Sequence, residues 1–213
     1  DTNFYNQNTS STKRNFTLNK FNNLKYQLFN SDVKSNGKQF LRFSEPPNFT
    51  NLPYDSNYNW YLDGYFQSEK YFIESSDLIR SELNPDSHTL KKILHIIPSD
   101  KNTISLHIRR TDYISSNGYH PVQPIEYYKK AINVIGEYDC IFVFSDDIQW
   151  CKQNLQFNNI VFVEGLSDIE DMWAMSMCKS NIIANSSFSW WGAWLNNEKD
   201  KKVIYPIKWF GSQ

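Results

Sequence analysis

The segment TISLHIRRTDYI, residues 103–114, joins an apolar run directly to two arginines and an aspartate. Its first six residues predict a buried β-strand, because apolar and β-branched side chains pack well on a pleated surface. Charge at the end of a buried strand is costly unless a partner neutralises it. Arg109 and Arg110 therefore predict a bound anion or internal carboxylates at the point where this strand ends.

Strand and helix patterns alternate on the carboxyl-terminal side of this segment. Further strands are predicted in CIFVFS, NIVFVE, NIIAN and KKVIYP, and helices in PIEYYKKAINVI, DDIQWCKQNL, SDIEDMWAMSMC and SSFSWWGAWLN. This alternation is typical of βαβ units, which build a parallel sheet covered by helices. The predicted fold class is therefore α/β, and such proteins bind ligands at the carboxyl ends of the parallel strands.

The chain before residue 98 has a weaker pattern. Residues 1–57 are polar and rich in Asn and Ser, with LKYQLFNS and KQFLRF as candidate strands. SSDLIRSELNP and SHTLKKILHII have the apolar spacing of short helices.

The composition excludes several classes of protein. Lys and Arg total 22 against 23 Asp and Glu, so no net field recruits nucleic acid or an anionic membrane, and any anion must be bound locally. The three cysteines lack the spacing of metal ligands, and Cys140 and Cys178 are most simply buried thiols. The chain has no run of about 18 apolar residues that would predict a membrane-spanning helix.

Three polar clusters fall where predicted strands end. They are HIRRTD after the first strand of the sheet, SDD at 145–147 after the second, and NSSFS at 185–189 after the fourth. Because the carboxyl ends of parallel strands share one edge of a sheet, all three clusters are expected to line one cleft.

The two arginines have two interpretations. If the strand continues through Arg109, side chains alternate so that His107 and Arg109 share one face. One guanidinium can then fork onto the oxygens of a diphosphate while its neighbour holds a carboxylate such as Asp112. The alternative is that both arginines form ion pairs with Asp112, Asp146 or Asp147.

The other clusters also have a structural and a functional interpretation. SDD is either a helix cap or a carboxylate that accepts hydrogen bonds from the N–H edge of guanine. A DxD-like metal site is the other possibility, but two adjacent acids without further acidic ligands nearby argue against it. NSSFS is a helix cap or an anion site built from hydroxyls and backbone N–H groups. His107 is either a hydrogen-bonded strand residue or a ligand contact, and WWGAWL is expected in the core. The motifs of zinc proteases, P-loop proteins and serine hydrolases are not in the sequence.

Taken together, HIRRTDY, HPVQPIEYYKKAI, FSDDIQW and CKSNIIANSSFSWWGAWLN resemble glycosyltransferase family 11, the α-1,2-fucosyltransferases. GYFQSEKYF resembles a further segment of the same family. The resemblance implies a GT-B-like architecture in which the donor is GDP-fucose. It also implies an inverting transfer to the 2-hydroxyl of a galactose-type acceptor, with no cofactor and no obligatory metal.

The resemblance also assigns roles to residues. Arg109 would hold the β-phosphate and stabilise the departing diphosphate, and His107 with one carboxylate of SDD would contact guanine. Arg110 and Asp112 would shape the loop, although Asp112 is also the first candidate for the general base and His120 the second. The implied donor-binding set is His107, Arg109, Arg110, Asp146, Asp147, Ser186, Ser187 and Phe188, and the implied catalytic residues are Arg109 and Asp112.

The family pattern also predicts the domain organisation. Members normally begin with a glycine-rich segment of the G-x-G-N-Q type, which this sequence does not contain. Residues 1–97 are therefore expected to be an incomplete amino-terminal, acceptor-side half, and residues 98–213 a Rossmann-like domain that binds the GDP-sugar. A non-catalytic glycan- or nucleotide-binding relic is the alternative function. A cytoplasmic location is expected, with membrane association and the oligomeric state left open.

Overall fold

The computed structural model describes residues 34–35, 37–46, 48–116 and 118–211, and the predicted strand LKYQLFNS lies outside them. The chain forms two compact units, Asp1–Ser76 and Asp77–Gln213. The helix at Ser87–Ile96 therefore groups with the carboxyl-terminal unit. The assignment of residues 1–97 to the acceptor side stays a prediction.

The amino-terminal unit holds a small sheet. It contains β1 (Lys34–Ser35), β2 (Lys38–Ser44) and β3 (Asn59–Asp63), with β1 antiparallel and β3 parallel to β2. The strand predicted in KQFLRF is confirmed. Two single 3₁₀ turns follow at Glu69–Tyr71 and Ile73–Ser75.

The carboxyl-terminal unit is a parallel α/β sheet, which confirms the predicted fold class. Its strands are β4 (Thr103–Ile108), β5 (Cys140–Ser145), β6 (Ile160–Phe162), β7 (Ser180–Ile182) and β8 (Val203–Ile204). The helices that follow the amino-terminal sheet are α1 (Ser76–Glu82), α2 (Ser87–Ile96), α3 (Thr111–Ile114), α4 (Ile125–Ile135), α5 (Ile148–Asn154), α6 (Asp168–Ser176) and α7 (Ser187–Leu195). Every neighbouring pair of strands in this sheet is parallel.

The strand order places the site. The order is β6-β5-β4-β7-β8, so the chain winds outward from β4 in one direction and then returns to β7 to wind outward in the other. In sheets with such an order the helices after the two central strands leave on different sides, and ligands bind between the carboxyl ends of these strands. HIRRTD and NSSFS lie at those two ends.

β4 is the centre of the core. All six of its residues are buried, and Ile104, Leu106 and Ile108 are at most 1% exposed. Strands covered on both faces are continuous apolar runs, which is why TISLHI was recognisable in the sequence. Among the helices that cover the sheet, α6 and α7 pack closely. A Cβ at Gly192 of α7 would approach Met175 of α6 to 3.0 Å, so the glycine permits this contact.

Candidate functional site

Hydrogen bonds join the three polar clusters at the carboxyl edge of the sheet, as the sequence predicted. The Asp146 carboxylate accepts the backbone N–H groups of Arg110 at 2.9 Å and Thr111 at 3.1 Å. The Tyr113 hydroxyl donates to the carbonyl of Asn185 at 2.7 Å. The loops after β4, β5 and β7 therefore form one continuous wall.

Arg109 lies just beyond the end of β4 and is held by two carboxylates. Its Nε and Nη2 donate to the two oxygens of Asp112 at 2.9 and 2.8 Å, and Nε lies 3.4 Å from Asp146 Oδ2. Burial favours the neutral form, but the hydrogen bonds to Asp112 and the charge of Asp146 outweigh it and raise the pKa of Arg109. The guanidinium is therefore a fixed positive charge at the switch point of the sheet.

Arg110 turns away from Arg109 and contacts the helix after β5. Its guanidinium carbon lies 3.6 Å from the ring centroid of Trp150, and Nε is 3.3 Å from Asp147 Oδ2. The two arginines thus have separate carboxylate partners, and it is Arg109, not Arg110, that holds Asp112. In this structure the interpretation with internal ion pairs describes both side chains.

The two aspartates of SDD differ in what they stabilise. Asp146 holds the turn after β4 through two backbone N–H groups and the hydroxyl of Thr111. Asp147 is the N-cap of α5, where its side chain accepts the N–H of Trp150 at 3.2 Å. The predicted helix cap is therefore confirmed for Asp147, and a guanine contact by either carboxylate stays a prediction.

His107 is buried next to this pair. It is 3% exposed, and its ring centroid lies 5.5 Å from that of Phe188 in α7. Its Nδ1 atom is buried with no hydrogen-bond partner among the residues that the structure describes. Burial, aided by the charge of Arg109, lowers the pKa of His107 to about 4, so the ring is neutral at pH 7. A buried polar atom left without a partner inside the protein marks a position where a ligand can supply one.

The start of α7 offers donors to an anion. Ser186 is the N-cap residue, with an extended backbone and no hydrogen bond from its side chain to the described first turn. Ser187 is exposed and Phe188 half-buried. The first N–H groups of any helix lack an acceptor within the helix, and the helix dipole favours negative charge at this end. The predicted anion site therefore has the required backbone geometry.

Asn185 joins three segments around the site, a role that the sequence analysis did not assign to it within NSSFS. It is 1% exposed; its side chain accepts from Gln123 at 3.0 Å and donates to the carbonyl of Trp209 at 2.9 Å. Its own carbonyl accepts from Tyr113. An asparagine at the end of an apolar strand run, where a buried amide needs several partners, was the available signal.

The carboxyl-terminal segment was also missed. The backbone N–H of Gly211 donates to the carbonyl of Tyr119 at 2.9 Å. A Cβ at Gly211 would lie 1.8 Å from the Gly118 carbonyl oxygen, so glycine is needed for this approach. The contact brings Phe210 to within 5.5 Å of His120, measured between ring centroids.

His120 is positioned by aromatic rings. Its ring stacks on Tyr113 with centroids 4.8 Å apart and planes 16° apart, and the nearly perpendicular Tyr119 ring has its centroid at 4.7 Å. Burial lowers the pKa of His120; the charge of Asp112 opposes this and that of Arg109 adds to it. The sensitivity to both charges places His120 in the electrostatic field of the Arg109–Asp112 pair.

The part of the chain that the structure describes contains neither a group of metal-ligating side chains nor a membrane-spanning helix. No three His, Cys, Asp or Glu side chains are grouped to hold a metal ion. None of the described helices has the length and apolar character needed to cross a bilayer. Metal independence stays a prediction.

Comparison with known proteins gives the context of this site. The family model described as glycosyl transferase family 11 matches residues 5–212. The O-antigen biosynthesis glycosyltransferase WbnK of Escherichia coli is 39% identical over 199 residues, which are 86% of this chain and 65% of that protein. An alpha-1,2-colitosyltransferase of Escherichia coli is 39% identical over 163 residues, 69% of this chain and 55% of that protein. The chain thus spans less than two thirds of these relatives.

Solved structures show weaker similarity. The crystal structure of the fucosyltransferase NodZ from Bradyrhizobium aligns with a TM-score of 0.46 and 19% identity, over 67% of this chain and 53% of that one.

Proposed function

The chain belongs to glycosyltransferase family 11, and we propose that it transfers L-fucose from GDP-fucose to the 2-hydroxyl of a galactose-type acceptor with inversion. The observation that carries the proposal is the charged Arg109 at the carboxyl end of β4, which lies over the ring of Tyr113, whose hydroxyl donates to Asn185 just before α7. A nucleoside diphosphate needs a fixed cation and free backbone donors, and this is where they meet.

The nucleoside end of the donor fits the buried side of the crevice. His107 offers an unpaired ring nitrogen, and Phe188 offers an apolar ring next to it. A neutral imidazole can donate from one nitrogen and accept at the other, which suits the edge of a purine. We assign guanine to this position, with Ser186 and Ser187 along the phosphates and ribose.

The diphosphate must compete with Asp112 for Arg109. The Asp112 side chain is 53% exposed, whereas those of Arg109 and Asp146 are each 18% exposed. The exposed carboxylate is the one that can leave at little cost, since solvated ion pairs are weak. Donor binding then replaces Asp112 by phosphate and leaves Asp146 in place to hold the turn.

This exchange gives Asp112 a role in the reaction. Once Arg109 binds phosphate, the Asp112 carboxylate loses the two hydrogen bonds from Arg109 and becomes a stronger proton acceptor. The acceptor hydroxyl needs a general base as it attacks the anomeric carbon. Charge accumulates on the diphosphate as the glycosidic bond breaks, and the fixed guanidinium stabilises that state more than the ground state.

A second donor is supported by one relative. A colitosyltransferase is 39% identical over 69% of this chain, and colitose is L-fucose without its 3-hydroxyl. The same diphosphate and guanine contacts serve GDP-colitose, so the sugar pocket decides between the two donors.

A donor screen tests the proposal. The protein is incubated with lactose and, separately, GDP-fucose, GDP-colitose, GDP-mannose and UDP-galactose, and products are read by mass spectrometry and by the anomeric coupling constant. Fucosyl-lactose with inverted configuration is the expected result. If transfer is seen with GDP-colitose and with no other donor, the proposed donor GDP-fucose is wrong and GDP-colitose takes its place. Binding of GDP by calorimetry without transfer from any donor would favour the non-catalytic alternative.

A further inference from the structure

A cluster of rings lies beside the Arg109–Asp112 pair and has no role in donor binding. The cluster, called here the aromatic platform, comprises Tyr113, Tyr119, His120 and Phe210. Tyr119 and Phe210 are 5.5 Å apart between ring centroids, and each contacts His120. Residues from the loop after β4 and from the end of the chain therefore build one surface.

The platform is held by backbone contacts more than by burial of its rings. Tyr119 remains 49% exposed and Phe210 44% exposed. The Gly211–Tyr119 hydrogen bond, the close approach of Gly211 to Gly118 and the Asn185–Trp209 hydrogen bond fix the segment that carries Phe210. Grouped, exposed aromatic rings that the fold orders at the mouth of a cleft indicate a binding surface.

The platform lies at the reacting end of the donor site. The guanidinium carbon of Arg109 is 5.7 Å from the centroid of Tyr113, on which His120 stacks. The pKa of His120 also responds to the charges of both Asp112 and Arg109. By contrast, the ring assigned to the nucleoside, Phe188, contacts His107. A second ligand bound on the platform would therefore adjoin the diphosphate and the sugar attached to it.

A hexose matches this surface. One face of a galactose-type ring carries several C–H bonds on the same side and is apolar, whereas its rim carries hydroxyls. Aromatic rings supply flat contact area with polar tips, which suits such a ligand. The members of the cluster are three aromatic rings and an imidazole, and none of them is a lysine or arginine that would bind a second phosphate.

We propose that the aromatic platform binds the galactose-type ring of the acceptor, with Tyr119 and Phe210 as the residues on which the sugar stacks. The proposal rests on the proposed function and adds to it the position of the acceptor. It also explains why the end of the chain is tied to the loop after β4: Phe210 is brought from 90 residues away along the sequence to Tyr119 and His120.

Saturation-transfer NMR with methyl β-D-galactopyranoside, recorded on the full chain in the presence of GDP, tests the platform without requiring turnover. Irradiation of aromatic resonances should transfer saturation to the C–H protons of one sugar face. Phe210→Ala and Tyr119→Ala should each remove most of this signal and raise the KM for lactose about tenfold or more. GDP binding by calorimetry and hydrolysis of the donor without acceptor should change by less than about twofold.

Matched variants separate stacking from folding. Phe210→Tyr and Tyr119→Phe keep the rings and should retain the NMR signal, and Val134→Ala truncates a side chain 63% exposed on α4 and should behave as wild type. Absence of saturation transfer in a wild type that binds GDP would overturn the platform, as would an unchanged signal in both alanine variants. Failure of the donor screen would instead overturn the proposed function, since the NMR signal does not depend on transfer.

Discussion

Arg109 donates two hydrogen bonds to Asp112, three residues further along the chain, while its Nε lies 3.4 Å from Asp146 on the neighbouring strand's loop. One guanidinium thus faces two carboxylates. Asp146 is also bound by backbone N–H groups of the turn, whereas Asp112 is more exposed. The two carboxylates fix the position of the guanidinium, and in the proposed function Asp112 is the partner that a diphosphate would replace.

Replacement of Arg109 by alanine is expected to slow transfer strongly. Loss of a preorganised donor to a developing anion costs about 2.7–4 kcal/mol, so kcat should fall by about 10² to 10³. Initial rates with saturating GDP-fucose and lactose measure the effect, and Arg109→Lys should recover part of it, because the charge returns without the fork. Wild-type turnover in a folded Arg109→Ala protein would contradict the assignment.

Replacement of Asp112 by asparagine should separate binding from catalysis. Removing the competing negative charge should tighten GDP binding about two- to fivefold, as expected for a solvated ion pair. Transfer should nevertheless fall by about 10² or more, because the amide cannot take the proton of the acceptor hydroxyl. Calorimetry and initial rates give the two values.

The control for this variant is Glu137→Gln, which removes one negative charge from an exposed position before the amino end of β5. It should change neither GDP affinity nor rate. Weaker GDP binding in Asp112→Asn would show that Asp112 stays paired with the Arg109 cation in the complex. Unreduced transfer would mean that another residue is the general base, and His120 is then the next candidate.

The sequence predicted the sheet better than the contacts at its edge. TISLHI and CIFVFS correspond to β4 and β5 residue for residue, because buried parallel strands are continuous apolar runs. NIIAN overestimates β7, which begins at Ser180 and ends at Ile182. The last residues of NIIAN, Ile183 to Asn185, are buried in the turn to α7, and of their backbone N–H groups only that of Ile183 is seen to donate to the next strand, at Ile204.

The meeting of the three clusters was also predictable, since parallel strands share a carboxyl edge. Which carboxylate each arginine holds was not, because that choice depends on side-chain rotamers and on Trp150, which gives Arg110 an aromatic surface. Phe210 left no signal in local patterns, because its contacts with Tyr119 and His120 join segments far apart along the chain.

Transfer is expected to proceed in the presence of excess EDTA. In the proposed function, Arg109 and the first N–H groups of α7 would meet the charge on the departing diphosphate without an added ion. Rates measured after chelation and again after addition of Mg²⁺ or Mn²⁺ test this. A rate lost to EDTA and restored by one of these ions would mean that a metal shares the work of the guanidinium.

His107 should make the folded state sensitive to acid. Its pKa is about 4 in the folded protein against 6.5 for an unperturbed histidine, so between these values the unfolded chain binds a proton that the folded chain does not. Stability from this residue is therefore complete above about pH 6.5 and lost as the pH falls toward 4, by about 3 kcal/mol in all. Urea unfolding at pH 7.5, 5.5 and 4.5 measures it.

Other groups titrate in the same range, so the comparison is made against His107→Gln at each pH. Burial raises the pKa of Asp171 to about 7. Its effect on the free energy of unfolding is opposite to that of His107, because the stability from the neutral carboxyl is present in acid and is lost as the pH rises toward 7. The difference between wild type and His107→Gln cancels that slope. The stability advantage of the wild type over His107→Gln, measured as free energy of unfolding, should shrink or reverse as the pH falls below 6.5. The reason is that only the wild type must then keep a buried imidazole neutral. A difference that is flat from pH 7.5 to 4.5 would show that His107 keeps its ordinary pKa when folded.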